Sequence, residues 1–394
     1  MNTIDTITKK IVITENATDE MRQFLSENFS GANGCVICDS NTHSIAHNYH
    51  NYIGYNNIVS LDIHSHHAGE SMIEACDEIV KNSQNGNPDY FIACGGGTIH
   101  DITRVIAHNY NKPFISFPTA ASVDGFVSSV APITTHSGMK ITLASVAPVA
   151  LFADISVLAE APRRLTASGF GDIIGKYISL ADWRIANLLL GESMDSEIIS
   201  RMYDAVKSAV CADITDYKNF CVKLLEALVL SGLCMQSIGN SRPASGAEHH
   251  IAHFLEMDIL EKNEHLHGEN VAAGALMCAE LYHELANAEN IKFTENYAIE
   301  ESLIKSYYGD LADMIIAENF PPYLNQITSE IFYDNLDEIR KIVKDIPPIQ
   351  ELEHMLSRAG INMPLIVDGS IILRLAPYIR SRFTLLKLCR CLEF

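Results

Sequence analysis

The sequence predicts an α/β domain built on a parallel sheet, residues 1–161, followed by an all-α domain, residues 162–394. Three observations lead there. Up to about residue 160, short apolar runs alternate with helical patterns, the β-α-β-α rhythm of a parallel sheet with helices on both faces. Beyond Pro162 long segments of 3.6-residue period take over, and no strand-like alternation of comparable strength follows. At 394 residues the chain is too long for one small core.

Taken in order, residues 36–38 read as a strand ending at Asp39, and residues 42–50 as a helix opened by Ser, Asn and Thr caps. Residues 58–61 form the next strand, followed by a helix over 71–82. Residues 90–94 are a third strand, running into Gly95-Gly-Gly-Thr-Ile-His-Asp101 and a helix to about Asn109. Residues 113–117 are a fourth strand, ending at Thr119-Ala-Ala-Ser122. Residues 124–148 are richer in Ser, Thr and Gly and suit loops or a small hairpin. Helical periodicity then marks 174–190, 197–212, 220–235, 271–287 and a last run over 371–392. Residues 319–323, with two prolines, read as a loop or helix start.

The net charge of −21 argues against general nucleic-acid binding, which needs clustered Lys and Arg. The first ten residues lack the apolar core and cleavage pattern of a signal peptide. No uninterrupted run of 18 apolar residues occurs, so no membrane span is expected. The ten cysteines show no framework spacing. Cys35 and Cys38 form a C-x-x-C inside an apolar strand, whose alternation puts them on opposite faces, as core residues. Reduced thiols without a leader point to the cytoplasm.

Five of the 16 histidines fall between His249 and His267. His249 and His253, four apart on a helical stretch, share one face. His267 sits at the Gly-Glu step that opens the next helix. Imidazoles from neighbouring helices are a start on a divalent metal site, with Asp172 in Ser168-Gly-Phe-Gly-Asp172 as candidate third ligand. The alternative is a set of surface or satisfied core histidines. The glycine loop stands where a strand hands over to a helix, so it suits an anion, although it is neither G-x-G-x-x-G nor a P-loop. It also suits a plain tight turn. Asp39 at a strand end fits either a ribose contact or a capping turn. Thr119 and Ser122 offer hydroxyls at the next strand end, or make an ordinary turn. Lys140, Lys176 and Arg242 are the candidate cations for a phosphate.

Gly-Gly-Gly-x-x-x-Asp101, Pro118-Thr-Ala-Ala-Ser-x-Asp124, Gly-Phe-Gly-Asp172, Ser241-Arg-Pro-Ala-Ser-Gly-Ala-Glu-His249, Leu266-His-Gly-Glu269 and Leu375-Ala-Pro-Tyr-Ile-Arg-Ser-Arg-Phe-Thr-Leu-Leu occur in that order. Together they resemble the metal-dependent polyol dehydrogenases, and most closely the glycerol-1-phosphate dehydrogenase branch. The resemblance implies a dehydroquinate-synthase-like fold with the active site in a cleft between its two domains. It implies NAD or NADP at Asp39, Gly96, Gly97, Thr98, Ile99, His100, Asp101, Thr119, Ser122 and Ser128, with no separate chemical role for His100. It implies one divalent ion (zinc, nickel or iron) on Asp172, His249 and His267. Asp124, Asp172 and His253 would contact a small phosphorylated polyol. His253 could relay a proton, or support the site by packing, and His250 would be structural. The implied reaction interconverts dihydroxyacetone phosphate and sn-glycerol 1-phosphate, towards glycerophospholipid synthesis, in a homodimer or larger homo-oligomer. A glycerol dehydrogenase, a dehydroquinate-synthase-like cyclase and a non-catalytic metal or nucleotide sensor are the rival readings.

Overall fold

The computed structural model describes residues 6–53, 57–63, 67–83, 86–260, 262–320, 322–361 and 369–394. Residues 1–5, where the reading against a leader begins, lie outside them. The chain forms two compact units, Met1–Gly169 with Ser208–Asn240, and Phe170–Lys207 with Ser241–Phe394. In place of one boundary after residue 161, it therefore crosses between the units three times.

The first unit holds β1 (Lys10–Thr14), α1 (Ala17–Asn28), β2 (Gly34–Asp39), α2 (His43–Ile53), β3 (Asn57–Leu61), α3 (Glu70–Lys81), β4 (Tyr90–Gly95), α4 (Gly97–Asn109) and β5 (Phe114–Pro118). A 3-10 turn at Asp124–Val127 leads into β6 (Val130–Thr134), β7 (Lys140–Ala144), β8 (Ala150–Asp154) and α5 (Ile155–Glu160). Six parallel strands make one sheet in the order β1-β8-β5-β4-β2-β3, and β6 with β7 forms the hairpin expected within 124–148. The pairings Ile37↔Ala93 and Gly95↔Pro118 set the carboxyl ends of β2, β4 and β5 side by side. From β2 the chain goes outward to β3, then returns to β4 and continues the other way to β5. That reversal puts a switch point between β2 and β4, where parallel sheets open a crevice for ligands.

Alternation sorts the strand side chains as expected. Cys35, Ile37, Phe91 and Ala93 pack on one face, and Val36, Cys38, Ile92 and Cys94 on the other. Burial pushes the Cys35 thiol up to about 12 and Cys38 up to about 11, so neither is a thiolate at neutral pH.

The long helix α6 (Arg163–Leu190) is followed by α7 (Ser196–Val210) and α8 (Tyr217–Ile238). The last is long and apolar enough to cross a membrane by length and composition, which a search for an unbroken apolar run misses because Lys223 and Glu226 interrupt it. Phe220, Leu224 and Leu228 on it are buried, and it packs on α5 and the 3-10 turn within the α/β unit. Gly239, at φ +76°, ends it in a left-handed cap.

The second unit is built on α9 (Ala247–Leu255) and α10 (His267–Asn287), which pack closely on each other. Helices Ser329–Val343 and Ile349–Arg358 cover α10. The tail corrects one expectation. In place of a single helix over 371–392 there are a helix at Gly369–Leu375, a 3-10 turn at Ala376–Ile379, a helix at Leu385–Leu388 and a second 3-10 turn at Cys389–Cys391. Pro377 has no N–H to continue the first helix, and Thr384 caps the second through Lys387 N at 3.2 Å. Two short strands also appear, β9 (Lys292–Phe293) and β10 (Leu392–Glu393), paired antiparallel. Two-residue strands carry too little alternation to be read from sequence.

Candidate functional site

Backbone approach assembles the histidine cluster. A Cβ on Gly171 of α6 would lie 2.2 Å from the Gly268 carbonyl at the start of α10. One on Gly274 of α10 would lie 2.4 Å from the Glu248 carbonyl of α9. Only glycine allows α6, α10 and α9 to come this close. At the start of α10, Glu269 accepts the Leu266 N–H at 2.8 Å, so the His-Gly-Glu step is a cap that fixes where His267 enters the helix.

Asp172 on α6, His249 on α9 and His267 on α10 are thereby brought together, each offering one ligand atom within 4.8 Å of the others. His249 Nε2 lies 3.7 Å from Asp172 Oδ1. Donors about 2.1 Å from a tetrahedral ion sit about 3.4 Å apart, so small side-chain rotations would complete the coordination. The His249 and His267 ring centroids are 5.2 Å apart, and His253 closes the triangle at 6.0 and 5.8 Å. His250, by contrast, belongs to no group of possible ligands among the described residues.

Two glutamates behind the histidines were missed from the sequence. The Nδ1 atoms of His249 and His267 each donate to a buried carboxylate at 2.7 Å, Glu248 Oε1 and Glu256 Oε1. This fixes both tautomers with Nε2 directed at the metal position, the carboxylate–imidazole support of metal sites. Burial raises Glu248 to about 8, against the Gly246 N–H bond and the field of Lys176. The sequence signal was an acid inside an otherwise apolar and histidine-rich helix. His253, Glu256 and His267 form a second group of possible ligands. Glu256 is there already engaged with His267 Nδ1, which favours the first group.

Lys176 is not available to a substrate phosphate. Fully buried, it pairs with Asp172 Oδ1 at 2.8 Å and donates to the Ala244 carbonyl at 2.8 Å. Burial alone would raise Asp172, but the fields of Lys176, His267 and His249 outweigh it and hold the carboxyl at about 2. Asp172 is therefore an ionised ligand at any physiological pH. Arg242 is engaged by both oxygens of Glu192 and donates to the Phe383 carbonyl at 2.7 Å. Lys140 is buried at the start of β7 in the α/β unit.

In that unit, Asp39, the glycine loop and residues 119–122 stand at adjacent strand ends. Asp39 makes the turn that one reading expected of it. Its Oδ1 accepts from the backbone and hydroxyl of Thr42 at 2.8 and 2.9 Å, closing a turn before α2, while Oδ2 has no hydrogen-bond partner among the described residues. Gly95 and Gly97 are required by packing, since a Cβ would meet Ile99 at 2.7 Å and Val123 at 2.8 Å. Gly96 differs. Its nearest neighbour would be Ser122 Oγ at 3.9 Å, so protein packing does not explain this glycine, whereas a ligand approaching the α4 N-terminus would.

Gly96, Gly97 and Thr98 are half-exposed, whereas Ile99 and His100 turn inward. His100 Nδ1 donates to the Gly96 carbonyl at 2.9 Å, and Nε2 meets Ser116 Oγ at 2.8 Å. It bolts the loop to β5 and presents no ring atom to a cofactor. Asp101 is 3.5 Å from Arg104, whose buried guanidinium donates to the carbonyls of Gly125, Ser128 and Val130. That clamp shapes the 125–130 turn and was not foreseen. Thr119 and Ser122 are buried at the edge of the loop, Ser128 Oγ bonds Val130, and Asp124 accepts from Ser231 Oγ at 2.8 Å.

Known proteins align with both units. The iron-containing alcohol dehydrogenase family matches residues 12–162. A glycerol-1-phosphate dehydrogenase (NAD(P)+) of Bacillus velezensis is 40% identical over 315 residues, which is 77% of this chain and 78% of that protein. One of Bacillus licheniformis is 35% identical over 351 residues, 86% of this chain and 84% of that protein. Among solved structures, sulfoacetaldehyde reductase from Bifidobacterium kashiwanohense in complex with NAD+ shares the fold, with a TM-score of 0.64 at 15% identity over 98% of this chain and 96% of that one. With two such relatives aligned over most of its length, the chain belongs to the glycerol-1-phosphate dehydrogenase family.

Proposed function

We propose that this chain interconverts dihydroxyacetone phosphate and sn-glycerol 1-phosphate by hydride exchange with NAD or NADP, at one divalent ion held by Asp172, His249 and His267. The observation that supports it most is the meeting of those three ligands, with Glu248 and Glu256 behind the two imidazoles. Two nitrogens and one carboxylate oxygen suit zinc, nickel or ferrous iron and leave positions for substrate oxygens. Such an ion supplies Lewis-acid polarisation of a carbonyl, or a lowered pKa for an alcohol. The nicotinamide supplies or accepts the hydride.

The protein's part is position and protons. Lys176 keeps Asp172 ionised in a dry site. Glu248 and Glu256 hold the two imidazoles in one tautomer. His253, buried beside both rings, hands a proton to the substrate oxygen during reduction and takes it back during oxidation. Asp39, the loop Gly96–Asp101, Thr119, Ser122 and Ser128 form the dinucleotide seat, and Asp124 assists the substrate. Ten free thiols support a cytoplasmic location, and the family resemblance supports a homo-oligomer.

The test is NADH and NADPH oxidation with dihydroxyacetone phosphate after metal stripping and re-addition of single metals. Activity should vanish with the metal and return with one or more of zinc, nickel and iron. Undiminished turnover in the stripped protein defeats the proposal. Equal turnover of unphosphorylated dihydroxyacetone would favour a glycerol dehydrogenase instead.

A further inference from the structure

His250 follows the ligand His249 on α9, about 100° further round the helix. It is completely buried, and neither ring nitrogen has a hydrogen-bond partner among the described residues. Two orphan nitrogens in a dry interior are costly, and a structural histidine does not explain them. The ring's neighbours explain more. Helix α9 packs on the 3-10 turn Ala376–Ile379 and on the helix Leu385–Leu388, which flank Arg380 and Arg382, and the second of which carries Lys387.

These three cations are built into the fold, yet none has a carboxylate within ion-pair distance among the described residues. Arg382 donates to the Ser245 carbonyl at 2.8 Å and Ser241 Oγ at 2.9 Å. Lys387 donates to Asn319 Oδ1 and to the Arg380 carbonyl, and lies 5.2 Å from the Tyr323 ring. The Arg380 guanidinium makes no hydrogen bond among the described residues. With Arg242, four cations face Glu192, which Arg242 occupies, Glu318, whose field reaches Arg380 and Lys387 without an ion pair, and Glu248, whose field reaches Arg382 while its side chain bonds His249 and the Gly246 N–H. Burial, reinforced by Arg242 and Arg380, lowers Arg382 to about 9, and burial lowers Lys387 to about 7. The His250 ring, with no partner on either nitrogen among the described residues, can donate an N–H to an anion. Two planar guanidinium forks, an ammonium and an imidazole N–H are the donor set of a tetrahedral oxyanion.

We propose that His250, Arg380, Arg382 and Lys387 form the seat for the phosphoryl group of the substrate, a phosphate monoester, beside the metal face of α9. This rests on the phosphopolyol reading above and replaces Lys140, Lys176 and Arg242 as the direct phosphate contacts. Arg380→Gln is the cleanest probe, because it removes a charge and breaks no described side-chain bond, and His250→Asn is the second. Two measurements on the full-length metal-loaded protein separate this proposal from the activity it rests on.

Inorganic phosphate should raise the melting temperature of the wild type, compete with dihydroxyacetone phosphate, and bind about 10- to 100-fold more weakly to either variant. Each variant should also lose preference for dihydroxyacetone phosphate over dihydroxyacetone by a similar factor. Phosphate binding that depends on Arg380 in a protein that reduces neither compound would keep the anion seat and defeat the assigned reaction. Phosphate binding unchanged in both variants, binding that does not compete with the substrate, or equal losses for the two substrates would each overturn the assignment.

Discussion

Gly171→Ala tests whether the ligands meet because the backbones do. The new Cβ would stand 2.2 Å from the Gly268 carbonyl oxygen, and ordinary contact begins at 3.4 Å. The start of α10 must therefore retreat from α6 by about 1 Å, since a backbone carbonyl cannot swing aside as a side chain can. His267 is the residue before Gly268, so the retreat passes directly into the ligand set. Overpacking of this kind costs about 1–3 kcal/mol of stability. A 1 Å displacement of a reacting constellation costs up to about 100-fold in rate. We expect the variant to fold with a lowered melting temperature, to hold its metal about 10- to 100-fold more weakly in competition with a chelator, and to lose activity even at saturating metal. Gly69→Ala is the control, because its Cβ would meet its nearest neighbour, the Thr134 carbonyl, at 3.4 Å. Wild-type metal affinity and rate in Gly171→Ala would refute the idea that close helix approach sets the site.

Other outcomes follow from the same geometry. Glu256→Gln, which weakens the bond fixing His267 Nδ1, should reduce metal affinity about 10- to 100-fold with a smaller effect on melting temperature, read by metal titration. Gly96→Ala should leave stability unchanged, because its Cβ would make only an ordinary contact with Ser122 Oγ at 3.9 Å, yet raise the KM for NADH at least several-fold; Gly95→Ala should destabilise by collision with Ile99. Burial, with Arg104 adding and the Gly96 bond opposing, lowers His100 to about 3, so the folded state refuses a proton that the unfolded chain accepts near 6.5. That contribution is fully present above about pH 6.5 and is lost as pH falls towards 3, at up to about 1.4 kcal/mol per pH unit. Urea unfolding at pH 7 and 5.5 should show a shallower dependence in His100→Gln, and an unchanged slope would show that His100 is not the group responsible.

Four strands, β2 to β5, were legible because each is a short apolar run with Gly, Pro or Asp at a boundary. The edge strand β1 and the buried strand β8 were not. Lys10-Ile-Val-Ile-Thr14 is too short to show a period, and the apolar run over 150–154 flows into α5 without a breaker, so length and periodicity could not separate strand from helix. Asp172, His249 and His267 were legible as residue types that suit a metal. That they meet, while His250 does not join them, depends on Gly171 and Gly274, whose meaning appears only when two backbones are seen in contact. Glycines inside α6 also hid its start, since they lower helix propensity where tertiary packing requires them. Glu248, Glu256 and Arg104 were missed for a related reason. Glu256 and Arg104 serve partners 11 or more residues away and Glu248 serves its immediate neighbour, and no periodic spacing rule marks either kind of pair.

The charge balance poses its own problem, since a chain carrying −21 must admit anionic substrates and cofactors. Screening reduces it. At physiological ionic strength fields decay over about 8 Å, so distant surface carboxylates matter little to a bound phosphate. What matters is the charge within a few ångströms, and there the cations are concentrated in the interior. Lys176 is assigned to Asp172, Arg104 to three carbonyls, and Arg242 to Glu192. Each of these is satisfied by the protein itself, which removes it from competition for a ligand. Among the described residues Arg380, Arg382 and Lys387 have no carboxylate within ion-pair distance and His250 no hydrogen-bond partner, so their mutual repulsion is what the proposed seat would turn to use. Arg382 and Lys387 are tied to neutral oxygens of the protein, which orient them but leave their charge uncancelled, and on the proposal above a bound phosphate would cancel it.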